Sequence, residues 1–262
     1  MKTFFNYLIR EKYTSDNPFI GITKQEENAK REDTVSKENF QKLLQAFKNP
    51  HLGRQTLSTG EVKSLHKDWL PDIAEYGLYT GRRLTELCMS REGDIKFIDG
   101  RPAYIEFVDL KATHRKSPKA KPEMVYMPVI PQLYDFLHRK GLDREKDTNE
   151  FIIAPNEKMT REIISHHTSR AVSHYFKQIG CNHTFHSLRR TYFTELAKDV
   201  GLEVASFLGG HSTPEVTKKN YLNPKELLKV AKDFRMFAEN KNGRQKELNR
   251  TKKSQQKISI SR

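Results

Sequence analysis

Three short segments carry side chains suited to chemistry at phosphate. In Tyr79-Thr-Gly-Arg-Arg-Leu-Thr-Glu-Leu87, Arg83 follows a glycine turn and Glu86 stands three residues beyond it. In His186-Ser-Leu-Arg-Arg-Thr191, His186 and Arg189 are one helical turn apart and share a face. In Leu208-Gly-Gly-His-Ser212, His211 follows two glycines, and Tyr221 lies ten residues beyond it. Exchange at a phosphodiester passes through five-coordinate phosphorus with added negative charge on the non-bridging oxygens. Two planar guanidiniums can each set a fork of hydrogen bonds on those oxygens, which lysine cannot copy. Arg83 and Arg189 are the candidates. A tyrosine hydroxyl titrates near pH 10 in its ordinary state, so Tyr221 as nucleophile needs a base or a cationic field. An imidazole such as that of His186 suits proton transfer near neutral pH. His211 can add a hydrogen bond to the phosphate.

Each segment alone has a plainer reading. A His-x-x-Arg pair is an ordinary exposed helix face, and Tyr221 beside an apolar stretch suits a core or rim position. His211 after glycines suits a helix cap, and Arg83 can simply pair with Glu86. Together and in this order, however, the segments resemble the tyrosine recombinases of the phage integrase family. Their signature runs Gly-x-Arg-x-x-Glu, a lysine in a β-hairpin, His-x-x-Arg, Leu-Gly-His and a nucleophilic tyrosine. Here the corresponding residues are Gly81 to Glu86, a strand-end lysine, His186 to Arg189, Leu208 to His211, and Tyr221, and the resemblance covers residues 36–240.

That resemblance implies a DNA strand transferase, a site-specific recombinase or integrase working through a 3′-phosphotyrosyl intermediate on double-stranded DNA. It also implies that the hairpin lysine protonates the leaving 5′-oxygen. Lys111, ending the expected strand Ile105–Leu110, holds the expected place, with Lys116, Lys119 and Lys121 in the turn that follows. A homotetramer on DNA is expected, and accessory DNA-bending proteins are further candidate partners. In many members the tyrosine follows the histidine by nine residues. Here Asn220 holds that position and Tyr221 is one later, about 100° of helix rotation away.

No cofactor is expected. His166 and His167 are adjacent rather than helically spaced, and no His-Glu-x-x-His or paired-carboxylate cluster appears. The two arginines and a lysine would fill the role that Mg²⁺ has in two-metal nucleases. No Gly-x-x-x-x-Gly-Lys-Ser/Thr loop is present, so ATP is not expected either.

The elements that must position these residues follow from patterning. Residues 3–12 read as the end of a helix, and 22–34 as a polar linker. Ser36 caps a helix through Phe47 whose apolar positions Phe40, Leu43, Leu44 and Phe47 share a face. Pro71 suits the first turn of a helix to about Leu78, which Gly81 ends before a second helix bearing Leu84, Leu87 and Cys88. Ile95–Ile98, Tyr104–Val108 and Val125–Met127 read as short strands, the first pair joined at Asp99-Gly100. Helices are expected over about 131–139, 161–178, 187–199, 201–208, 214–221 and 224–239. The fold class is mainly α with a small antiparallel β-sheet, the catalytic-domain fold of the tyrosine recombinases.

The domain reading places the remnant of an N-terminal core-binding helical domain at 1–21, the linker at 22–34 and the catalytic domain at 35–240. Lysine and arginine exceed aspartate and glutamate by 47 to 33, a net charge of +14, which suits a partner made of phosphates. Residues 241–262 hold eight basic residues against Glu247 alone, eight minus one or +7, and read as a disordered basic tail. Leu227, Val230, Ala231, Phe234 and Phe237 form a stripe that either packs on its own domain or, by the resemblance, docks on a neighbouring protomer. Two cysteines, Cys88 and Cys181, allow no disulfide framework, and no apolar run reaches the ~20 residues of a membrane span. A cytoplasmic, nucleoid-associated protein is expected. Two other functions fit the same residues: a DNA-binding relative without catalysis, told apart by the direction of the Tyr221 hydroxyl, and a type IB topoisomerase, told apart by relaxation of supercoils without a specific site.

Overall fold

Lys2–Arg10 forms the first helix, α1, and Phe5 on it meets Phe19 with ring centroids 5.3 Å apart. Asn17, almost fully buried, donates from Nδ2 to Asn6 Oδ1 at 2.5 Å, so this helix has local packing partners that its sequence does not advertise. The structure, a computed structural model, describes residues 2–21, 34–110, 122–146, 148–201, 205, 208 and 234–237. The chain divides into two compact units, Met1–Glu32 and Asp33–Arg262, and all that follows concerns the second.

Ser36 Oγ accepts the N–H of Asn39 at 3.2 Å and starts α2 (Lys37–Phe47), whose Phe40, Leu43, Ala46 and Phe47 enter the core. An antiparallel ribbon follows, β1 (Arg54–Thr56) with β2 (Val62–Ser64). Helix α3 (Leu70–Thr80) carries Pro71 in its first turn, where a missing N–H costs nothing. It is buried nearly all round, through Leu70, Ile73, Ala74, Tyr76, Gly77 and Leu78. It stops at Gly81, whose φ of +62° is left-handed. A side chain there is barred twice, because a Cβ would also come 2.4 Å from the ring of Tyr192. Three residues later α4 (Leu84–Met89) begins.

The strands β3 (Ile95–Ile98), β4 (Arg101–Val108) and β5 (Met124–Pro128) form one antiparallel sheet in that order. Asp99 (φ 52°) and Gly100 (φ 72°) make the left-handed pair that a two-residue hairpin demands. Ile105 and Phe107 of β4 and Met127 of β5 point into the core. Helix α5 (Pro131–Arg139) follows the sheet, and Tyr76 links α3 to both, stacked on Phe136 at 5.6 Å and tilted on Phe107 at 6.1 Å. Thr160 caps the long α6 (Arg161–Gln178) by accepting from Ile163 N at 3.4 Å. Helix α7 (Phe185–Val200) closes over α3, its Phe185 filling the notch left by Gly77.

Three features depart from the sequence reading. The β1–β2 ribbon is unannounced because its residues are almost all exposed and show no alternation. Helix α7 starts two residues early, at Phe185, which puts His186 in its first turn. The expected helix over 224–239 does not extend through 234–237, where Phe237 has a positive φ of 54°. Phe234 and Met236 are instead buried in their own domain. Phe234 is edge-on to Tyr192 at 5.7 Å, and Met236 O accepts from Gln132 Nε2 at 3.1 Å. At these residues the stripe packs on its own core rather than on a neighbour. Residues 22–33 of the linker, the helices over 214–221 and 224–233, most of the helix over 201–208, and the tail lie outside the described residues.

Candidate active site

The α3–α4 turn sets two consecutive arginines on opposite sides of the chain. Arg82 points inward with no side-chain exposure, while Arg83 keeps 24%. Glu86, one turn into α4, serves both. Its Oε2 accepts from Arg82 Nε at 2.9 Å and from the Arg83 backbone N–H at 3.1 Å. Its Oε1 accepts from Arg83 Nη1 at 2.9 Å. Asp109, just past β4, adds a longer contact to the same Nη1 at 3.3 Å. The sheet therefore braces the arginine turn from the side, and Arg83 is held by two carboxylates that are themselves buried.

Arg189 arrives from α7 and is 4% exposed. Its Nη1 donates to Gly81 O at 2.5 Å, and its guanidinium lies 4.8 Å above the ring of Phe193. Burial, then the neighbouring Arg82 and Arg83, push its pKa down to about 10, against the opposing pull of Glu86 and Asp109. Burial lowers that of Arg82 as well, opposed first by Glu86. Such crowding of like charge is costly, and an arriving phosphate anion would relieve it. The structure thus brings Arg83 and Arg189 to one turn. His186 is exposed on the first turn of α7, one turn before Arg189. Lys111, His211 and Tyr221, with Lys116, Lys119 and Lys121, lie outside the described residues.

Sequence reasoning missed three contributors. Arg82 is hidden by its neighbour, although its i,i+4 spacing to Glu86 is a usable signal. Asp109 has no local motif. Tyr192, fully buried, supports Gly81 from beneath, and burial pushes its hydroxyl's pKa up despite the nearby Arg82. Among the described residues no group of three His, Cys, Asp or Glu side chains could hold a metal ion, and no helix is long and apolar enough to cross a membrane.

The model of the phage integrase family matches residues 34–227. No curated protein matches the chain. Among solved structures, a lambda integrase dimer bound to a COC′ core site matches with TM-score 0.52 at 18% identity, over 81% of this chain and 69% of that one. The integrase from mycobacterium phage Brujita matches with TM-score 0.51 at 14% identity, over 91% and 70%. A longer lambda integrase chain on a COC′ core site gives 0.52 at 19%, and this chain spans only 59% of it. At these identities the likeness establishes the fold.

Proposed function

The chain belongs to the phage integrase family, and from that premise we propose that it is a DNA strand transferase, a site-specific recombinase acting through a 3′-phosphotyrosyl intermediate. The observation that carries this reading is the convergence of Arg83 and Arg189 on one buried turn beside the helix of His186. Two guanidiniums held rigid before the substrate arrives are what a transition state gaining charge on phosphate oxygens requires.

Tyr221 is the nucleophile. Its Oη bonds to phosphorus as the bond to the 5′-oxygen breaks, with its proton passing to His186 or water. Lys111 gives the leaving 5′-oxygen a proton, and His211 donates to the phosphate. Rejoining reverses these steps with the 5′-hydroxyl of a partner strand, so the bond energy stays in the phosphotyrosine and neither metal nor ATP is used. Residues 35–240 form the catalytic domain, double-stranded DNA is the substrate, and the working assembly on DNA is a homotetramer. The lambda integrase structures that share this fold hold a core-site DNA, which supports the choice of partner.

Covalent trapping tests this reading. The protein is mixed, in EDTA, with a nicked duplex carrying its element's junction sequence, and the products are run on a denaturing gel. A shifted band that disappears with Tyr221→Phe is expected. Binding without any adduct would overturn the reading in favour of a DNA-binding relative without catalysis.

A further inference from the structure

Arg82 has no part in the reaction just described, yet it is among the largest fully buried side chains of the protein. It cannot touch DNA. Its side chain has no exposure, and its guanidinium lies 5.7 Å over the ring of Phe107. Folding does not obviously need it either. A buried ion pair is frequently no better for stability than apolar side chains of the same volume. Something other than stability should therefore account for an arginine in this place.

Its contacts indicate what that is. Nε donates to Glu86 Oε2 at 2.9 Å, and Nη2 lies 2.8 Å from the same oxygen as an ion-pair contact without a hydrogen bond. That oxygen also accepts the N–H of Arg83, and the second oxygen takes the Arg83 side chain at 2.9 Å. Glu86 is thus clamped from behind by one arginine while it holds the next. We propose that Arg82 is a positioning residue for strand cleavage, fixing Glu86 so that Arg83 is presented to the scissile phosphate; this rests on the strand-transfer reading.

Charge gives the clamp a second effect. The turn gathers three guanidiniums, Arg82, Arg83 and Arg189, against two carboxylates, Glu86 and Asp109. With Arg82 the cluster keeps one positive charge in excess, the complement of a single phosphodiester. Without it the cluster is neutral, and the transition state gathers its extra charge before guanidiniums already matched by carboxylates. Position and charge are separable, because lysine at 82 keeps the charge and loses the Nε–H that Glu86 accepts.

The test is single-turnover cleavage of the nicked duplex by the full chain, with the scissile group either the natural phosphate or a methylphosphonate. In the latter a methyl replaces one non-bridging oxygen, so less charge develops. Groups that orient a catalytic ligand from behind cost about 10–100-fold when removed. Arg82→Met should therefore slow cleavage of the phosphate by that factor, with DNA affinity changed less than about threefold. The methylphosphonate should be slowed far less, so the ratio of the two rates should fall, as is also expected for Arg83→Ala. Arg82→Lys should lie between wild type and Arg82→Met. A core variant away from the site, Leu137→Ala, should leave the ratio unchanged, because misfolding removes active molecules without regard to the phosphate. The double variant Arg82→Met/Arg83→Ala should lose less than the product of the two single losses, since positioning acts through the Arg83 guanidinium and only the charge effect survives its removal.

An unchanged ratio in Arg82→Met, or losses that multiply in the double variant, would overturn the proposal. If Arg82→Met fails to fold, Arg82→Lys carries the same comparison, and a wild-type ratio there overturns it too. Failure of the wild type to form any adduct on the natural phosphate is a different result. It removes the strand-transfer reading itself, and this proposal with it.

Discussion

Two groups of arginines flank α4, and the chain treats them differently. At its start Arg82 and Arg83 aim their guanidiniums at Glu86 and Asp109, and Arg189 joins them through Gly81 O and the ring of Phe193. At its end Arg91 and Arg161 close on the two faces of Phe151, each 3.8 Å from the ring centroid. These two donate to carbonyls, Arg91 to Asn149 O at 2.9 Å and Arg161 to Ile153 O at 2.7 Å. In the second group the donors are spent on backbone and the cations on an aromatic ring, so the arginines act as brackets between segments. In the first, anionic partners hold Arg82 and Arg83 in place in a cluster that, with Arg189, retains excess positive charge. Held charge of that kind is useful only where a substrate brings the opposite sign.

The comparison can be broken most forcefully at Glu86. Removing one member of a buried ion pair costs about 3–5 kcal/mol, because the partner is left charged and uncompensated. Glu86→Gln should lower the unfolding free energy by that order in urea titrations, since two arginines depend on the carboxylate. A loss below about 1 kcal/mol would mean that the cluster does not hang on this residue.

Next comes activity. Arg83→Ala should slow single-turnover cleavage by about 100–1000-fold, the effect of losing one preorganised oxyanion donor. Arg161→Lys, which alters the bracket, should leave the rate within about threefold. Equal damage from both would erase the distinction between the two groups. A smaller effect is expected at Phe151. Two cation–π contacts at about 0.5–1 kcal/mol each make Phe151→Leu worth about 1–2 kcal/mol of stability. Thermal melts measure it, and cleavage at a permissive temperature should be unaffected.

How much of this was legible in the sequence varies with the physical source of each element. Helices α5 and α6 were readable to their end residues, because Pro131 and Thr160 are start signals and apolar periodicity runs through both. The β3–β4 hairpin was equally plain, since Asp99-Gly100 between apolar runs admits few other conformations. The β1–β2 ribbon was not, because a strand pair exposed on both faces leaves no alternation to detect. The apolar stripe containing Phe234 was visible, but a stripe does not say which surface covers it. Around the site, Arg83 and Arg189 were named through motif spacing, and the structure brings them to one turn. Arg82 and Asp109 were not, because their partners are fixed by the turn after α3 and the end of β4, which are tertiary facts.

The last and smallest test uses pH on the most crowded member of the cluster. Burial, together with Arg82 and Arg83, holds Arg189 at about 10, well below the ordinary arginine range. Below pH 10 both folded and unfolded chains keep this proton, so the folded state bears the whole cost of charging it. As pH rises through 10 the folded state begins to release the proton, while the unfolded chain still retains it. The unfolded state then binds more protons, and stability must rise with pH on account of this group. At the midpoint the gain is RT ln 2, about 0.4 kcal/mol. It should show as a widening advantage of wild type over Arg189→Met between pH 8 and 10 in matched urea titrations, other groups cancelling between the two proteins. Arg82→Met removes the first of the crowding cations, so in that background the gain should move to higher pH. A gap that does not change with pH would mean that Arg189 is not under pressure from its neighbours, and the contrast with the bracketed arginines would rest on geometry alone.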